Sequence, residues 1–406
     1  MPDNVVIVGG GQAGFQVAAS LRQKKFDGAI TILAEEPVLP YQRPPLSKEF
    51  LKGEVTEQQV LLRPEDFYAA RDIAVRLGAR VAAIDRPGRR VTLADGSDVS
   101  YDRLVLATGG RVRKLPVPGA ELAGVAYLRT LADAVALKPR LAAAGNVVVI
   151  GGGFIGLECA AAAVTRGCRT TVLEVAERLM GRVVSPALSA YYRDLHARHG
   201  VDVRVNAAVT ELHGIDGHVT EVRGAGGSHV AADLVIVGIG IVPNDDLAAA
   251  AGLLCDRGIV VDATLRTTDP AIYAIGDCAA FPHPMARGLV RLESVQNAVD
   301  QGKTVADAIL GEARPYTAVP WFWSDQYDAH LQIVGICHGY DETVTLGDVG
   351  SGCFSVLYFR SGALIAIDSV NKGADHIAGR KLFSAGRVIT PAQARAPGFE
   401  LKAAVK

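Results

Sequence analysis

Residues 5–14 read VVIVGGGQAG, and residues 147–156 read VVVIGGGFIG. In both stretches a short apolar strand runs directly into the pattern G-x-G-x-x-G, which is typical of the strand-to-helix turn of dinucleotide-binding domains. One glycine makes the tight turn, one lets backbone amides approach a pyrophosphate, and one packs the helix on the strand. The candidate glycines are Gly9, Gly11 and Gly14 in the first fingerprint and Gly151, Gly153 and Gly156 in the second fingerprint. Two copies predict two dinucleotide sites.

Each fingerprint is followed about 20 residues later by a glutamate at the end of the next strand. Glu35 comes after the apolar strand at 29–33, and Glu174 comes directly after the strand at 170–173. A carboxylate at this place can accept hydrogen bonds from ribose hydroxyls. The alternative is a solvated carboxylate, which the agreement of both copies disfavours. A chain with two nucleotide sites can pass a hydride from a nicotinamide to a second cofactor, for which a flavin is the natural candidate.

The composition is that of a globular protein of two or three domains, with 406 residues, 49% of them apolar and 21% charged. The formal charge of −1 gives no global attraction to nucleic acid or to an anionic membrane. The longest apolar stretches are of strand length, and the start shows no basic-then-apolar signal pattern. We therefore expect a cytoplasmic enzyme with no nucleic-acid partner and no membrane span.

Cysteine and histidine spacing argues against two other kinds of site. The six cysteines include no C-x-x-C, and none lies between Gly14 and Cys159, where disulfide reductases of this layout carry a redox pair. His196 and His199 have a helical i, i+3 spacing that could hold a metal, but no second ligand pair accompanies them. We favour an exposed helix face for these two histidines and predict no metal site.

The fold class predicted is α/β with an internal duplication. Segments 102–109 and 233–240 each close one copy with a buried strand that ends on glycine, and segment 271–277 returns a last strand to the first copy. The prediction is two Rossmann-like nucleotide-binding domains, the second inserted in the first, plus a C-terminal α+β domain. The predicted bounds are 1–109 and 241–319 for the first domain, 110–240 for the second and 320–406 for the third.

Five further motifs give the chain a specific resemblance. They are PYQRPPLSK (40–48), ATG (107–109), YAIGD (273–277), ESVQNA (293–298) and PWFWSDQ (320–326). With them the whole chain resembles the FAD-dependent NADH:ferredoxin reductases of bacterial oxygenase systems, of the putidaredoxin reductase and biphenyl dioxygenase ferredoxin reductase type. The resemblance implies a glutathione-reductase-like fold, FAD in the first domain and NADH in the second. It also implies a two-iron two-sulfur ferredoxin acceptor that feeds a haem or ring-hydroxylating oxygenase.

The resemblance implies three catalytic residues. Lys48 would place its ammonium near N5 of the flavin, paired with Glu158, and Trp323 would close one face of the ring. A positive charge there stabilises the reduced, anionic ring. A solvated lysine at a loop end is the alternative for Lys48, and Trp321 could equally be core packing of the third domain.

Other residues are predicted to bind FAD. Arg43 offers a planar fork of donors to phosphate or ribose oxygens. By resemblance, Thr108 lies at the cofactor, Asp277 accepts a hydroxyl of the ribitol chain, and the Val295 N–H at a helix start faces the flavin O2. The alternative for Asp277 is a helix N-cap, which can hold at the same time.

At the nicotinamide nucleotide, Glu174 is expected to bind both ribose hydroxyls of NADH and to repel the extra phosphate of NADPH. Arg182 could flank the adenine or a phosphate, which weakens the preference for NADH, and Gly240 ends a strand that faces the nucleotide. The same active site could reduce rubredoxin, a quinone or dioxygen. A redox interaction protein similar to apoptosis-inducing factor is a more distant alternative, since no basic block is present.

Overall fold

A computed structural model describes residues 3–405. Its α-helices are α1 (Gln12–Gln23), α2 (Glu49–Lys52), α3 (Glu65–Ala69), α4 (Leu131–Ala143), α5 (Phe154–Thr165), α6 (Pro186–Arg198), α7 (Asp246–Ala250), α8 (Val295–Ile309), α9 (Gly373–Ser384), α10 (Pro391–Ala394) and α11 (Leu401–Ala404). Short 3₁₀ turns cover Pro44–Ser47, Ala225–Gly227 and Gly276–Cys278.

The β-strands are β1 (Val5–Val8), β2 (Ile30–Leu33), β3 (Ile73–Arg76), β4 (Val81–Asp85), β5 (Arg90–Leu93), β6 (Asp98–Ser100), β7 (Arg103–Leu106), β8 (Gly110–Val112), β9 (Val125–Tyr127), β10 (Asn146–Ile150), β11 (Arg169–Leu173), β12 (Asp202–Arg204), β13 (Val209–Ile215), β14 (His218–Gly224), β15 (His229–Ala231), β16 (Leu234–Val237), β17 (Ile241–Pro243), β18 (Ile259–Val260), β19 (Ile272–Ala274), β20 (Ala279–Pro282), β21 (Leu289–Val290), β22 (Trp321–Gln326), β23 (Ala329–Gly335), β24 (Glu342–Asp348), β25 (Cys353–Arg360) and β26 (Ala363–Val370).

The first of two compact units comprises residues up to Gln42, Val60–Arg111 and Val242–Pro320. Its main sheet has the order β19-β7-β1-β2-β3 with every neighbouring pair parallel. All four residues of β1 are buried valines or isoleucine, as expected for a parallel strand covered on both faces. Two small sheets, β4-β5-β6 and β18-β20-β21, complete this unit.

The second unit comprises Arg43–Gln59, Val112–Ile241 and the chain from Trp321 onward. It repeats the parallel arrangement in the sheet β12-β11-β10-β16-β9 and adds the antiparallel sheet β13-β14-β15. From Trp321 the chain forms the antiparallel sheet β22-β23-β26-β25-β24, and α9 packs on it close enough that a Cβ at Gly379 would lie 2.8 Å from Ile367.

The predicted fold class is confirmed: two Rossmann-like sheets, with the second copy inserted in the first, and a C-terminal α+β region. The three sets of domain bounds stay a prediction. Within residues 3–405, no helix combines the length and apolar character needed to cross a membrane.

Candidate active site

The first fingerprint folds as the motif requires. Gly9 has φ +121°, and a Cβ there would lie 2.1 Å from the Ala107 carbonyl oxygen. A Cβ on Gly14 would lie 2.1 Å from the Gly9 carbonyl oxygen, so helix α1 packs directly on the turn. At Gly11 a Cβ would meet nothing within 4 Å, and no side chain caps α1. The N-terminus of α1 therefore faces open space.

The second fingerprint repeats this geometry. Gly151 has φ +108°, and a Cβ there would lie 2.4 Å from the Gly238 carbonyl oxygen. A Cβ on Gly156 would lie 2.1 Å from the Gly151 carbonyl oxygen, whereas Gly153 again has nothing within 4 Å and α5 has no side-chain cap. In both fingerprints, therefore, the first and third glycines leave no room for a Cβ, whereas the second glycine does.

Three of the other long helices contrast with these two, whereas α9 also begins without a side-chain cap. In α4, α6 and α8 the first turn is capped by the hydroxyl of Thr130, Ser185 or Ser294. Uncapped amides at α1 and α5 can instead donate to the oxygens of a pyrophosphate. The buried Nε2 of Gln301, in the same unit as α1, also has no hydrogen-bond partner among the described residues. These features fit a dinucleotide at each fingerprint.

The two strand-end glutamates differ. Glu35 is 73% exposed at its side chain and lies 3.6 Å from Arg80 Nε. The Glu174 carboxylate accepts hydrogen bonds from the Gly152 N–H at 2.6 Å and from the Ala176 N–H at 2.8 Å. Glu174 is therefore fixed by the backbone of the second fingerprint and of its own turn, whereas Glu35 is not.

The remaining predicted residues of the first unit gather at one edge of its sheet. Val8, Leu106 and Ala274 are in register across β1, β7 and β19, so the segments that follow these strands start at the same edge. Those segments carry Gly9, Thr108 and the half-buried Asp277.

Side chains and caps order this edge further. The Thr108 hydroxyl donates to the Asn244 carbonyl at 2.6 Å, and Arg291 donates to the Asp277 carbonyl at 3.1 Å. Val295 is the first residue of α8, next to the Ser294 cap.

In the second unit, the side chains of Lys48 and Glu158 form a buried ion pair. Lys48 is 7% exposed, and its Nζ lies 3.0 Å from Glu158 Oε2. Two hydroxyls donate to the same carboxylate, Ser47 to Oε2 at 2.5 Å and Ser324 to Oε1 at 2.6 Å. Burial raises the pKa of Glu158, and the Lys48 ammonium and the two hydroxyls oppose that rise. The predicted pairing is present in the structure, and the catalytic roles of both residues stay a prediction.

The other predicted residues of the second unit occupy three places. Arg43 donates to the Arg129 carbonyl at 2.5 Å. The half-buried Trp323 lies in β22, with its ring centroid 5.7 Å from that of Trp321. Arg182 is exposed, and its Nη2 lies 3.9 Å from the position of a Cβ at Gly240.

Comparison with known proteins identifies the family. A family model described as pyridine nucleotide-disulphide oxidoreductase matches residues 3–302, and one described as reductase C-terminal matches residues 321–405. The chain belongs to the pyridine nucleotide-disulphide oxidoreductase family. The predicted recognition as a ferredoxin reductase of that family is confirmed, and the reductase is an oxidoreductase that uses FAD and NAD(H).

Three relatives illustrate the similarity. Rhodocoxin reductase of Rhodococcus erythropolis is 48% identical over 99% of this chain and 94% of its own length. The crystal structure of the ferredoxin reductase for the CYP199A2 system from Rhodopseudomonas palustris is 46% identical, covers 100% of both chains and has a TM-score of 0.97. The covalent putidaredoxin reductase–putidaredoxin complex is 41% identical over 99% of this chain and 98% of that one, with a TM-score of 0.96.

Sequence reasoning missed the two hydroxyl groups that donate to Glu158 in the reductase's buried ion pair. Ser47 and Ser324 lie inside two of the quoted motifs, one beside Lys48 and one beside Trp323. The period of two along β22 would have signalled that Ser324 points opposite to Trp323. The exposed helix face predicted for His196 is wrong, because this side chain has no solvent exposure. In the described part of the chain no cluster of potential metal ligands is found.

Proposed function

We propose that this reductase takes a hydride from NADH onto FAD and passes single electrons to a two-iron two-sulfur ferredoxin, which supplies a haem or ring-hydroxylating oxygenase. When bound, FAD converts a two-electron donor into single-electron transfers. The observation that carries the proposal is the buried Lys48–Glu158 ion pair, because a buried ion pair adds little stability over apolar residues of similar volume and its presence therefore points to a use for the charge.

Each part of the chain has a role in this proposal. Around FAD, the α1 N-terminus and Arg43 hold phosphate oxygens, and Asp277 accepts from the ribitol chain. The Lys48 ammonium supplies positive charge where the reduced ring gains negative charge, and Glu158 sets the place of that ammonium.

At the second fingerprint, the amides of α5 hold the pyrophosphate of NADH, and Glu174 accepts from its ribose. Because the Glu174 carboxylate is already held by two backbone amides, binding NADH does not require it to be ordered first. A second negative group on that ribose would meet this fixed carboxylate, which favours NADH over NADPH.

A protein acceptor is supported by the relatives. One solved relative is putidaredoxin reductase joined covalently to putidaredoxin. Steady-state turnover with a two-iron ferredoxin, rubredoxin, a quinone and dioxygen, each at saturating NADH, tests the choice of acceptor. We expect the ferredoxin to give the highest kcat/KM. A higher value with rubredoxin or a quinone would overturn the acceptor part of the proposal and leave the NADH and FAD part intact.

The role of Lys48 is tested by Lys48→Met. We expect flavin reduction by NADH, followed by stopped flow, to slow about 10- to 100-fold, as for loss of a charged contact worth 1.5–3 kcal/mol. FAD content should stay close to one per chain. Lys52→Met, at the end of the short helix α2, is the matched control because Lys52 lies outside the ion pair.

A second variant distinguishes the effect of losing the Lys48 charge from a loss of protein stability. Lys48→Met leaves Glu158 buried without its cation, which can destabilise the protein, so the double variant Lys48→Met/Glu158→Gln removes both charges. An unchanged rate of flavin reduction in a folded, FAD-containing variant would remove Lys48 from the active site.

A further inference from the structure

A chain of buried hydrogen bonds runs from Glu158 through the end of β22 to helix α6. Ser324 lies 2.6 Å from Glu158, and Gln326 Nε2 lies 3.1 Å from Ser324 Oγ. His196 Nε2 lies 2.9 Å from Gln326 Oε1, and the Tyr327 hydroxyl lies 3.2 Å from His196 Nδ1. Ser324, Gln326 and His196 are each at most 1% exposed, so water cannot replace these contacts.

The direction of each bond follows from Glu158. An ionised carboxylate only accepts, so the single hydroxyl proton of Ser324 points to Glu158 and Ser324 must accept from Gln326. The Gln326 carbonyl oxygen then faces His196, which therefore carries its proton on Nε2. Nδ1 of a neutral His196 can only accept, and it does so from Tyr327. Every donor in the chain therefore points toward Glu158.

The surroundings keep this arrangement in one state. Burial lowers the pKa of His196 to about 4, so its ring is neutral near pH 7, and burial raises the pKa of Tyr327, which keeps its proton. Tyr327 has φ +55°, which is costly for a large side chain. Its ring stacks on His199 with centroids 3.7 Å apart. Tyr327 begins the two-residue turn between β22 and β23, which accounts for its positive φ, and this turn and the stacking on His199 hold its hydroxyl at His196.

We propose that Gln326 and His196 are positioning residues for the Lys48–Glu158 pair. They hold the Ser324 hydroxyl as a donor to Glu158 Oε1. This hydrogen bond stabilises part of the carboxylate's negative charge, so less of the positive charge of the Lys48 ammonium is neutralised by Glu158. Aligned donors polarise one another, so a group two bonds away can affect the carboxylate. The inference rests on the proposed role of Lys48 beside the flavin.

The experiment compares His196→Leu with the matched control Arg193→Leu, three residues earlier on the same helix, whose exposed side chain pairs with Asp194 and lies outside the chain of donors. In the FAD-containing His196→Leu enzyme we expect NADH to reduce the flavin about 5- to 10-fold more slowly and the flavin midpoint potential to fall. His196→Gln, which keeps a donor toward Gln326, should restore most of both properties. Arg193→Leu should change neither the rate nor the potential.

A double-mutant cycle shows whether His196 acts through Glu158. In the Glu158→Gln background, His196→Leu should no longer lower the rate or the potential, whereas a merely structural defect would persist. An unchanged or raised potential in His196→Leu, or equal effects in both backgrounds, would overturn the inference. If Lys48→Met slows reduction and His196→Leu does not, the proposed function stands and this inference alone fails.

Discussion

The two fingerprints share a motif and differ in what surrounds it. Helix α1, which follows the first fingerprint, is buried on one face, and the acid after this fingerprint, Glu35, is exposed. Helix α5 is buried continuously from Gly156 to Ala163 and carries Glu158 in its interior, and its fingerprint is followed by the fixed Glu174. The glycine geometry therefore specifies only that a nucleotide binds.

The difference assigns separate tasks to the two copies. In the proposed function, the fingerprint and Glu35 of the first copy serve only to bind FAD. In the second copy the helix that opens at the nucleotide also supplies, two residues after Gly156, the acid that holds Lys48. A buried ion pair is often no more stabilising than apolar residues of similar volume, so its presence on α5 and not on α1 points to use rather than to packing.

The largest expected effect comes from adding a side chain to a glycine of the first fingerprint. Gly9→Ala combines φ +121° with a Cβ placed 2.1 Å from the Ala107 carbonyl, so we expect loss of most bound FAD and a lower thermal midpoint of the apoprotein. Gly11→Ala, whose Cβ meets no protein atom, should leave the apoprotein midpoint unchanged. It should nevertheless weaken FAD binding about 10- to 100-fold by overpacking the ligand. The absorbance of bound flavin measures the FAD content and affinity, and differential scanning calorimetry measures the thermal midpoint. Normal FAD affinity in Gly11→Ala would mean that no ligand fills the space beside Gly11.

The equivalent substitution in the second fingerprint should remove the use of NADH and leave FAD bound. Gly151→Ala, with φ +108° and a Cβ 2.4 Å from the Gly238 carbonyl, should abolish reduction by NADH while the purified protein stays yellow. Reduction of the flavin by dithionite serves as the control, since it needs no nucleotide site. Loss of FAD from Gly151→Ala would show that the two sites are not independent.

Much of this could be predicted from the sequence because parallel strands and glycine turns have strong local signals. The two fingerprints and the strand-end acids rest on spacings within about 30 residues, and the inserted second copy rests on the repeat of that pattern together with the later strand at 271–277. The donors around Glu158 could not be predicted in this way. Ser324 and His196 are far from Glu158 along the chain. The prediction of an exposed face for His196 and His199 rests on the absence of a second ligand pair in the sequence, and their spacing carries no information about which side of α6 is covered.

A smaller effect is expected at Glu174. Glu174→Ala removes a charged acceptor from the NADH ribose, and it also frees the Gly152 N–H, so we expect the kcat/KM ratio of NADH over NADPH to fall about 10-fold or more. Glu177→Ala, an exposed acid three residues later, is the matched control. Equal kcat/KM values for the two nucleotides in the unmodified reductase would refute the role of Glu174.

The smallest effect is expected at Glu35, and it tests the contrast between the two acids directly. Because Glu35 is 73% exposed and is oriented by a solvent-exposed ion pair with Arg80 at 3.6 Å, a ligand must first order this side chain. Surface ion pairs contribute little, so most of the gain from a ribose contact is offset by that ordering. We expect Glu35→Ala to weaken FAD binding no more than about 5-fold, measured by equilibrium dialysis, with flavin reduction by NADH unchanged. Arg80→Ala should have a still smaller effect, since it frees Glu35 without removing the carboxylate. If Glu35→Ala instead releases FAD as completely as Gly9→Ala, then the bound cofactor fixes Glu35 as firmly as the backbone fixes Glu174, and the contrast between the two copies does not extend to their ligands.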